Sequence, residues 1–439
     1  MSQAPSPAAL YPEHLATVIA DADAALADSG FDHLLVAAGV EKIAFLDDNP
    51  YPFRANPHFR RWLPVDASPG CWVAHTPGRR PLLVFVQPDD FWHLPPSTPE
   101  DWWAGHFDLR IVRNAADAAQ HLPRGRCAVI GEDDAGLRDI VPNNPGDVLA
   151  RLHWRRAVKT PYEVARMREA NARAARGHLA AREAFGQKLP ELGIHHAYLA
   201  ASAHTDDDLP YHSIVGLNAH GAVLHYQHRA TARPPRHRSL LIDAGAQSAG
   251  YCADITRTLD DGDADFRALV DAVDGVEREL AARVRPGQDY VALHLDAHHR
   301  LGGVLQASGI VAMDAADQVD AGITRAFFPH GLGHFIGLQV HDVGGHQSGP
   351  GGERRPPPPE HPFLRLTRTL EPGHAVTIEP GIYFIDSFLA DLRAGPHADR
   401  IDWSLVEHLK PFGGVRIEDD VVCTDDAPEN LSRDAFAAL

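Results

Sequence analysis

The sequence predicts two domains of different class, an α/β domain first and an α+β domain after it, and three observations carry that prediction. The chain has 439 residues, long for a single domain when domains run to roughly 100–200 residues each. Up to about residue 155, short apolar runs alternate with helical stretches, the pattern of strands joined by helices. Then Thr160-Pro161-Tyr162-Glu163 makes a capping box with proline at the first helical position, launching a long helix where the earlier pattern stops. Residues 1–158 are therefore assigned to the first domain and 159–439 to the second.

The elements follow in order. Residues 11–29 read as a helix with Leu15, Val18, Ile19 and Ala22 on one stripe. Apolar runs at 33–38, 42–46, 71–74, 81–86, 109–112 and 127–131 are expected strands, with helical segments near 114–121 and 145–153. Trp62, Trp72, Trp92, Trp102 and Trp103 fall in this domain, as core residues or as a subunit interface. The capped helix should run to about Phe185. After it come a polar strand region at 211–226, a hairpin within 240–258, and a helix over 266–284. Phe266, Leu269, Val270, Val273, Val276 and Leu280 recur there at helical spacing and read as a core face. The run 349–362, with four consecutive prolines from Pro356 to Pro359, is a loop.

Composition narrows the function. The formal net charge of −18 argues against nucleic acid, since phosphate binding wants the opposite sign. Apolar content of 44% suits a water-soluble core, and no run approaches the roughly 18 apolar residues of a membrane helix. Residues 1–20 show no basic region followed by an apolar run, so no signal peptide is expected. Cysteines at 71, 127, 252 and 423 are too scattered for a disulfide framework or a cysteine-rich zinc site. A reducing cytoplasm is the expected location.

The chemistry begins with Asp243 and Asp254, on either side of the turn-prone Ser248-Ala249-Gly250. A hairpin with Ser248-Ala249 at its tip sets Asp243 opposite Asp254. Leu241, Asp243 and Gly245 then share a face with Cys252, Asp254 and Thr256. Ile242, Ala244, Ala253 and Ile255 make an apolar second face. Carboxylates paired with Cβ atoms about 5 Å apart repel unless something positive sits between them. Two solvated carboxylates on an edge hairpin suit such apolar neighbours poorly, whereas a divalent-cation site suits them well.

Three histidines, His330, His334 and His341, lie within twelve residues of glycine-rich chain. Gly331, Gly333 and Gly337 argue against the continuous helix of a His-Glu-x-x-His zinc site and let backbone approach a ligand closely. One such histidine alone is ordinarily structural. Glu379 ends an apolar strand and is held extended by Pro380. Arg416, Glu418 and Asp420 share one face of a strand, which taken alone is the wet side of an antiparallel sheet. Two aspartates, a histidine and two glutamates together make a hard, oxygen-rich site suited to manganese, cobalt, zinc or iron. Four carboxylates match two divalent ions bridged by hydroxide. Such a pair, about 3.5–4 Å apart, lowers the pKa of the bridging water and polarises a carbonyl or phosphoryl oxygen.

Several motifs closely resemble those of the pita-bread metallopeptidases, and within them the bacterial X-Pro dipeptidases (prolidases). They are Leu-Ile-Asp243-Ala-Gly, Ala-Asp254-Ile-Thr-Arg, Pro-His330-Gly-Leu-Gly-His334, Val340-His341-Asp342, Ile-Glu379-Pro-Gly and Arg416-Ile-Glu418. The resemblance extends to Asp47-Asp48-Asn-Pro-Tyr-Pro-Phe and to Lys410-Pro-Phe-Gly-Gly-Val-Arg, and so covers nearly the whole chain. The same bacterial subgroup includes the organophosphorus acid anhydrolases.

The resemblance implies a pita-bread catalytic domain behind a creatinase/prolidase-type N-terminal domain that serves dimerisation and site access. It implies a homodimer with two divalent ions per subunit, Mn2+ first, with Co2+ or Zn2+ as alternatives. Asp243 would bind one metal through both oxygens, Asp254 and Glu418 would bridge the pair, and His334 and Glu379 would complete the other shell. Glu379 would also be the general base. His225, His330 and His341 match histidines that orient substrate and stabilise the tetrahedral intermediate. Arg365, fourteen residues before Glu379, matches the arginine that grips the carboxylate of a C-terminal proline. Tyr211 and Arg416 match pocket residues, and Asp48 matches a residue that reaches into the partner subunit's site.

An X-Pro bond is a tertiary amide with a rigid ring and no N–H. A metal-bound hydroxide attacks it without a side-chain nucleophile, and an arginine pairing bidentately with the terminal carboxylate restricts cleavage to dipeptides. The rivals are a phosphotriesterase (an organophosphorus acid anhydrolase), an X-Pro aminopeptidase acting on longer peptides, and a non-enzymatic pita-bread binding module. The last would lack metal ligands, and all five are present here.

Overall fold

Ser6 opens the first helix by accepting a hydrogen bond from the Ala9 N–H, and Pro7 sits in its first turn. The helix Pro7–Ser29 thus starts earlier than its apolar stripe, and it ends at Gly30 in the left-handed region (φ 71°). The computed structural model describes residues 5–65, 68–137 and 139–439. Residues 1–4, the start of the stretch read for a leader, lie outside these. The chain divides into two compact units: residues 1–166 with 249–251 and 348–353, and the remainder.

The first unit is α/β. Five strands lie in the order Asp108–Val112, Leu82–Val86, Trp72–His75, His33–Ala37, Cys127–Ile130. The two outer pairs are parallel and the inner pairs antiparallel. Leu35, Ala37, Trp72, Ala74, Val84 and Val129 pack with Ala118, Ala119 and Leu122 into its core. The expected helical segments appear as a 3-10 helix, Ala115–Gln120, and an α-helix, Gly146–Arg156.

The expected strand at 42–46 does not form. Only an isolated bridge, Ile43 to Pro50, is made there, and Leu46 is 91% exposed with φ +59°. The cause is local. The Asp47 carboxylate accepts the backbone N–H groups of Asp48 and Asn49, an Asx turn that competes with a ladder. Of the five tryptophans, Trp62, Trp72 and Trp103 are buried, while Trp92 and Trp102 are exposed. The capping box is present in both directions: the Thr160 N–H donates to Glu163 Oε2 (2.9 Å) and the Glu163 N–H to Thr160 Oγ1 (3.4 Å). The helix it opens is Pro161–Gly186.

The second unit is α+β. One antiparallel sheet orders Thr256–Asp260, Ser239–Asp243, Ile214–Leu217. Another orders Ala375–Ile378, Asp419–Val422, Glu429–Asn430. A further ladder pairs Gly381–Tyr383 with Gly414–Arg416. The second sheet and this ladder keep one register, Ile378 facing Asp419 and Gly381 facing Arg416, interrupted at Glu379-Pro380. Proline has no N–H to give the ladder, and opposite it Glu418 pairs its backbone with Thr256 of the first sheet instead. That interruption brings two sheets to one point.

The polar region 211–226 yields only a four-residue strand. Asn218, at φ +59°, turns the chain away, accepting from the Arg238 N–H and donating to the Arg236 carbonyl. The helix Ala264–Ala281 buries Phe266, Leu269, Val273, Val276 and Leu280, with Val270 half-buried. No helix or strand runs through 349–362. Among the described residues no helix is long and apolar enough to cross a membrane.

Candidate metal centre and its cavity

The aspartate hairpin is present, but its register differs from the expected one by two residues. Asp243 faces Thr256, and the Ala244 N–H to Ile255 O and Ala253 N–H to Ala246 O bonds place Asp254 opposite Gly245. The turn falls at Ala249-Gly250, both with positive φ (48° and 88°), as a type I′ turn requires. An even shift keeps every side chain on its face, so the two carboxylates still share one side. Ile242 and Ala244 pack against Ala181, Phe185, Ile194 and Tyr198, while Ala253 and Ile255 meet Ala170 and Ala174.

Gly245 leaves room for the residue that ties the aspartates together. A Cβ there would stand 2.6 Å from Tyr211 Cε1. In that space Tyr211 brings its hydroxyl to 2.7 Å from Asp243 Oδ1 and 2.5 Å from Asp254 Oδ1. Burial first, then the two carboxylates, hold the Tyr211 hydroxyl well above its ordinary pKa, so it remains a donor.

The histidine segment is irregular, as its glycines require, and is pinned to the strand Ala375–Ile378. The Thr377 N–H donates to the His334 carbonyl (3.0 Å), and the Glu379 N–H to the Leu332 carbonyl (2.8 Å). His334 Nδ1 faces the Phe335 carbonyl at 2.9 Å and must carry the proton there. Nε2 is thereby turned to Asp254 Oδ2 (3.5 Å) and Glu379 Oε1 (3.9 Å). This is the usual way a backbone carbonyl orients a metal-binding imidazole.

Glu418 is buried, not on a wet strand face as its alternation with apolar residues would suggest alone. Thr256 Oγ1 donates to its Oε2 at 2.7 Å. Arg416 donates to Asp243 Oδ2 (2.6 Å), Thr256 Oγ1 (3.2 Å) and the Tyr383 hydroxyl (2.9 Å). Asp420 accepts the Asp254 N–H at 3.1 Å.

These side chains converge on a cavity of about 370 Å³. Asp243, Asp254, His334, Glu379, Arg416 and Glu418 line it, together with His225, His330, His341, Arg365, Phe363 and Phe388 among others. Ligand atoms of Asp254, His334 and Glu418 lie within 4.8 Å of one another. The acids there are electrostatically loaded. Burial pushes Glu379 up to about 7 and raises Asp243 despite Arg416. Burial, and then the charges of Asp254, Glu379 and Asp243, push Glu418 well above the usual range. Burial opposes ionisation of Asp254 as well, but the bond and charge of His334 outweigh it and its pKa falls. Three buried carboxylates and the half-buried Glu379, with Arg416 and His334 as cationic partners, fit an oxygen-rich divalent-metal centre, which would supply the missing positive charge. His330 and His341 are pushed down to about 3, by burial and then by Arg416 and His334 respectively, so both rings are neutral at neutral pH.

Eleven of the twelve site residues expected from sequence thus meet at or directly behind one cavity. Asp48 does not line it; it is exposed in the first unit, beside Asp47 and Asn49. Three residues were not singled out for a role in this site: Thr256, Asp420 and Tyr383. The first two already stood on the correct faces beside Asp254 and Glu418, which was the available signal. Tyr383, whose hydroxyl lies between Arg416 and His330 Nε2 (2.8 Å), carried none.

Family models match the chain twice: metallopeptidase family M24 over residues 165–425, and the N-terminal domain of Xaa-Pro dipeptidase over residues 9–154. The chain belongs to metallopeptidase family M24. Within it, the chain is 50% identical over 437 residues to an Xaa-Pro dipeptidase of Xanthomonas axonopodis pv. citri (strain 306), covering 99% of both. It is 48% identical over 435 residues to one of Stenotrophomonas maltophilia (strain K279a), covering 98% of both. Among solved structures it resembles the aminopeptidase PepP of Pseudomonas aeruginosa, with TM-score 0.72, 24% identity, and 97% and 98% of the two chains covered. Zn-substituted E. coli aminopeptidase P in complex with product gives TM-score 0.70 at 21% identity, covering 100% of this chain and 99% of that one. These structures share the pita-bread fold with this chain, as the motifs implied.

Proposed function

We propose that the chain is a dinuclear metal-dependent dipeptidase that hydrolyses X-Pro dipeptides. The observation that carries this is the convergence of Asp243, Asp254, His334, Glu379 and Glu418 in a cavity that Arg365 also lines. Relatives named Xaa-Pro dipeptidase, similar over essentially their full length, support it.

Two divalent ions, Mn2+ first, are assigned to five ligands. Asp243, Asp254, His334, Glu379 and Glu418 would hold them. When bound, the ions lower the pKa of a water and polarise the scissile carbonyl. The chain's own residues do the rest. Glu379 takes the proton from the attacking water as general base. His225, His330 and His341 orient the substrate and stabilise the tetrahedral intermediate, His341 as a neutral N–H donor. Arg365, exposed at the cavity, pairs bidentately with the terminal carboxylate, while Phe363 and Phe388 offer apolar surface to the proline ring. Tyr211 and Arg416 hold Asp243 in place.

Residues 1–158 are assigned to dimerisation and site access, with Asp48 reaching the partner subunit's site in a homodimer, and 159–439 to catalysis. A cytoplasmic location fits the four free cysteines, and the charge of −18 fits a protein without nucleic-acid partners. The test is hydrolysis of Gly-Pro and Ala-Pro after chelation and after Mn2+ is restored. Loss and recovery are expected; full turnover by metal-free protein would refute the assignment.

A further inference from the structure

We propose that His294, His298 and His361 form a second metal site, separate from the carboxylate centre, for one Zn2+ or a similar borderline-soft divalent ion. His294 and His298 stand one turn apart on the helix Tyr290–Ala307 and are both buried. His361, half-buried, comes from the proline-rich loop. One ring nitrogen from each lies within 4.8 Å of the others, and the three ring centroids are 4.5–4.8 Å apart.

The second observation is unmet hydrogen bonding. Neither ring nitrogen of His294 has a hydrogen-bond partner among the described residues, nor does His298 Nε2. A buried polar atom left without a partner is destabilising, so a helix that places two such rings together wants a ligand between them. His298 Nδ1 lies 3.0 Å from Thr324 Oγ1. With its proton directed at that hydroxyl, Nε2 keeps a free lone pair, the arrangement that prepares an imidazole for a metal.

The donor set selects the ion. Three imidazoles and no carboxylate suit zinc, copper or nickel rather than magnesium, calcium or manganese. Zinc held by three histidines leaves its fourth position to water. Zn–N bonds of about 2.0–2.1 Å put the nitrogens roughly 3.3 Å apart, so the rings must close in by side-chain rotation. His361, on a loop, has the freedom to do so. Arg325 acts on His298 and His361 as a nearby positive charge and opposes a cation there, whereas Glu360 acts on His361 in the other sense. The site is therefore weaker than one with a carboxylate ligand, but it is specified by nitrogen.

Its position gives it consequence. The Phe328 ring lies 5.9 Å from His294, 4.9 Å from His298 and 4.8 Å from His330, so one ring separates the triad from the cavity wall. His361 precedes Phe363 and Arg365 by two and four residues. Occupancy would fasten the proline-rich loop to the helix just before it enters the cavity.

The test is zinc content of the full chain after dialysis against Zn2+, read by elemental analysis. Asp254→Asn with Glu418→Gln disables the carboxylate centre. In that background about one zinc per chain is expected to remain, and Co2+ put in its place should give visible absorption of a four-coordinate ion. Adding His361→Ala, a change at a half-buried loop position, should remove both. The same one-ion difference should separate His361→Ala from the otherwise native chain, so the result does not depend on the double variant folding. Equal zinc content with and without His361 overturns the proposal, whatever becomes of the dipeptidase reading.

Discussion

Replacing Thr256 with valine removes one hydroxyl and changes little else. Thr256 is fully buried, and its backbone N–H and carbonyl, which pair with Glu418, are kept in the variant. What goes is the 2.7 Å donor to Glu418 Oε2 and the acceptor 3.2 Å from Arg416 Nε. Arg416 retains Asp243 and Tyr383 as partners, so the loss falls mainly on Glu418. A hydrogen bond to a charged group contributes about 1.5–3 kcal/mol, and removing a group that orients a metal ligand typically costs 10–100-fold in metal affinity. Thr256→Val should therefore weaken Mn2+ binding by roughly 10–100-fold, about 1.4–2.8 kcal/mol, measured by competition with a chromophoric chelator. Circular dichroism would establish that the variant is folded. A folded variant with native metal affinity would show that Thr256 does not position Glu418, and would weaken the assignment of Glu418 as a metal ligand.

Arg365→Ala should lower kcat/KM on Ala-Pro by roughly 10–100-fold, the worth of a charge-assisted pair, and much less on the Ala-Pro carboxamide; equal losses would defeat the carboxylate role. For the same reason Ala-Pro should be hydrolysed far better than a tripeptide beginning Ala-Pro, and better than a phosphotriester; the reverse order would favour the aminopeptidase or anhydrolase reading. His178 is buried with Nε2 at 3.0 Å from the Ala244 carbonyl, and burial holds its pKa down to about 3. Its folded pKa lies below the unfolded value of about 6.5, so only the unfolded chain takes up the proton as pH falls through that window. Stability present above pH 6.5 is lost on acidification, by about 2–3 kcal/mol at pH 4.5 from this group. His178→Gln keeps an N–H for the carbonyl and should flatten the decline of Tm between pH 6.5 and 4.5. Parallel declines would assign the acid sensitivity elsewhere.

Local chemistry was the legible part of the sequence. The capping box at Thr160 and Glu163, the strand cores and the helix Ala264–Ala281 each rest on residues a few positions apart. The candidate site residues stood out because their motifs are dense, and eleven of them gather at one cavity. Hairpin register was not, because it turns on Ala249 adopting a left-handed conformation that non-glycine residues rarely take. The 42–46 run misled because an Asx turn just downstream outweighed its apolar residues. Thr256 and Tyr383 look like ordinary strand residues, and their roles depend on partners far along the chain: Glu418 lies 162 residues from Thr256. No spacing rule reaches that distance.

Glu418 and Asp419 show most directly why the centre calls for cations. They are adjacent acids at one strand end, both buried, and their side chains point opposite ways. Asp419 meets Arg257 Nη2 and Arg433 Nε, each at 2.6 Å, and Asn430 Nδ2 at 2.9 Å. Burial works against its ionisation, but the two guanidinium groups prevail and its pKa falls. Glu418 meets three further carboxylates across the cavity, and its pKa rises. Burial works against ionisation of both and is the largest single cause on Glu418, yet the net shifts are opposite, so burial alone does not set their sign. What differs is whether the protein supplies the counter-charge. On the Asp419 side it does, and the acid is a structural ion-pair member. On the Glu418 side Arg416 and His334 face four acids, a balance that stable burial of ionised groups does not tolerate and that divalent ions would restore.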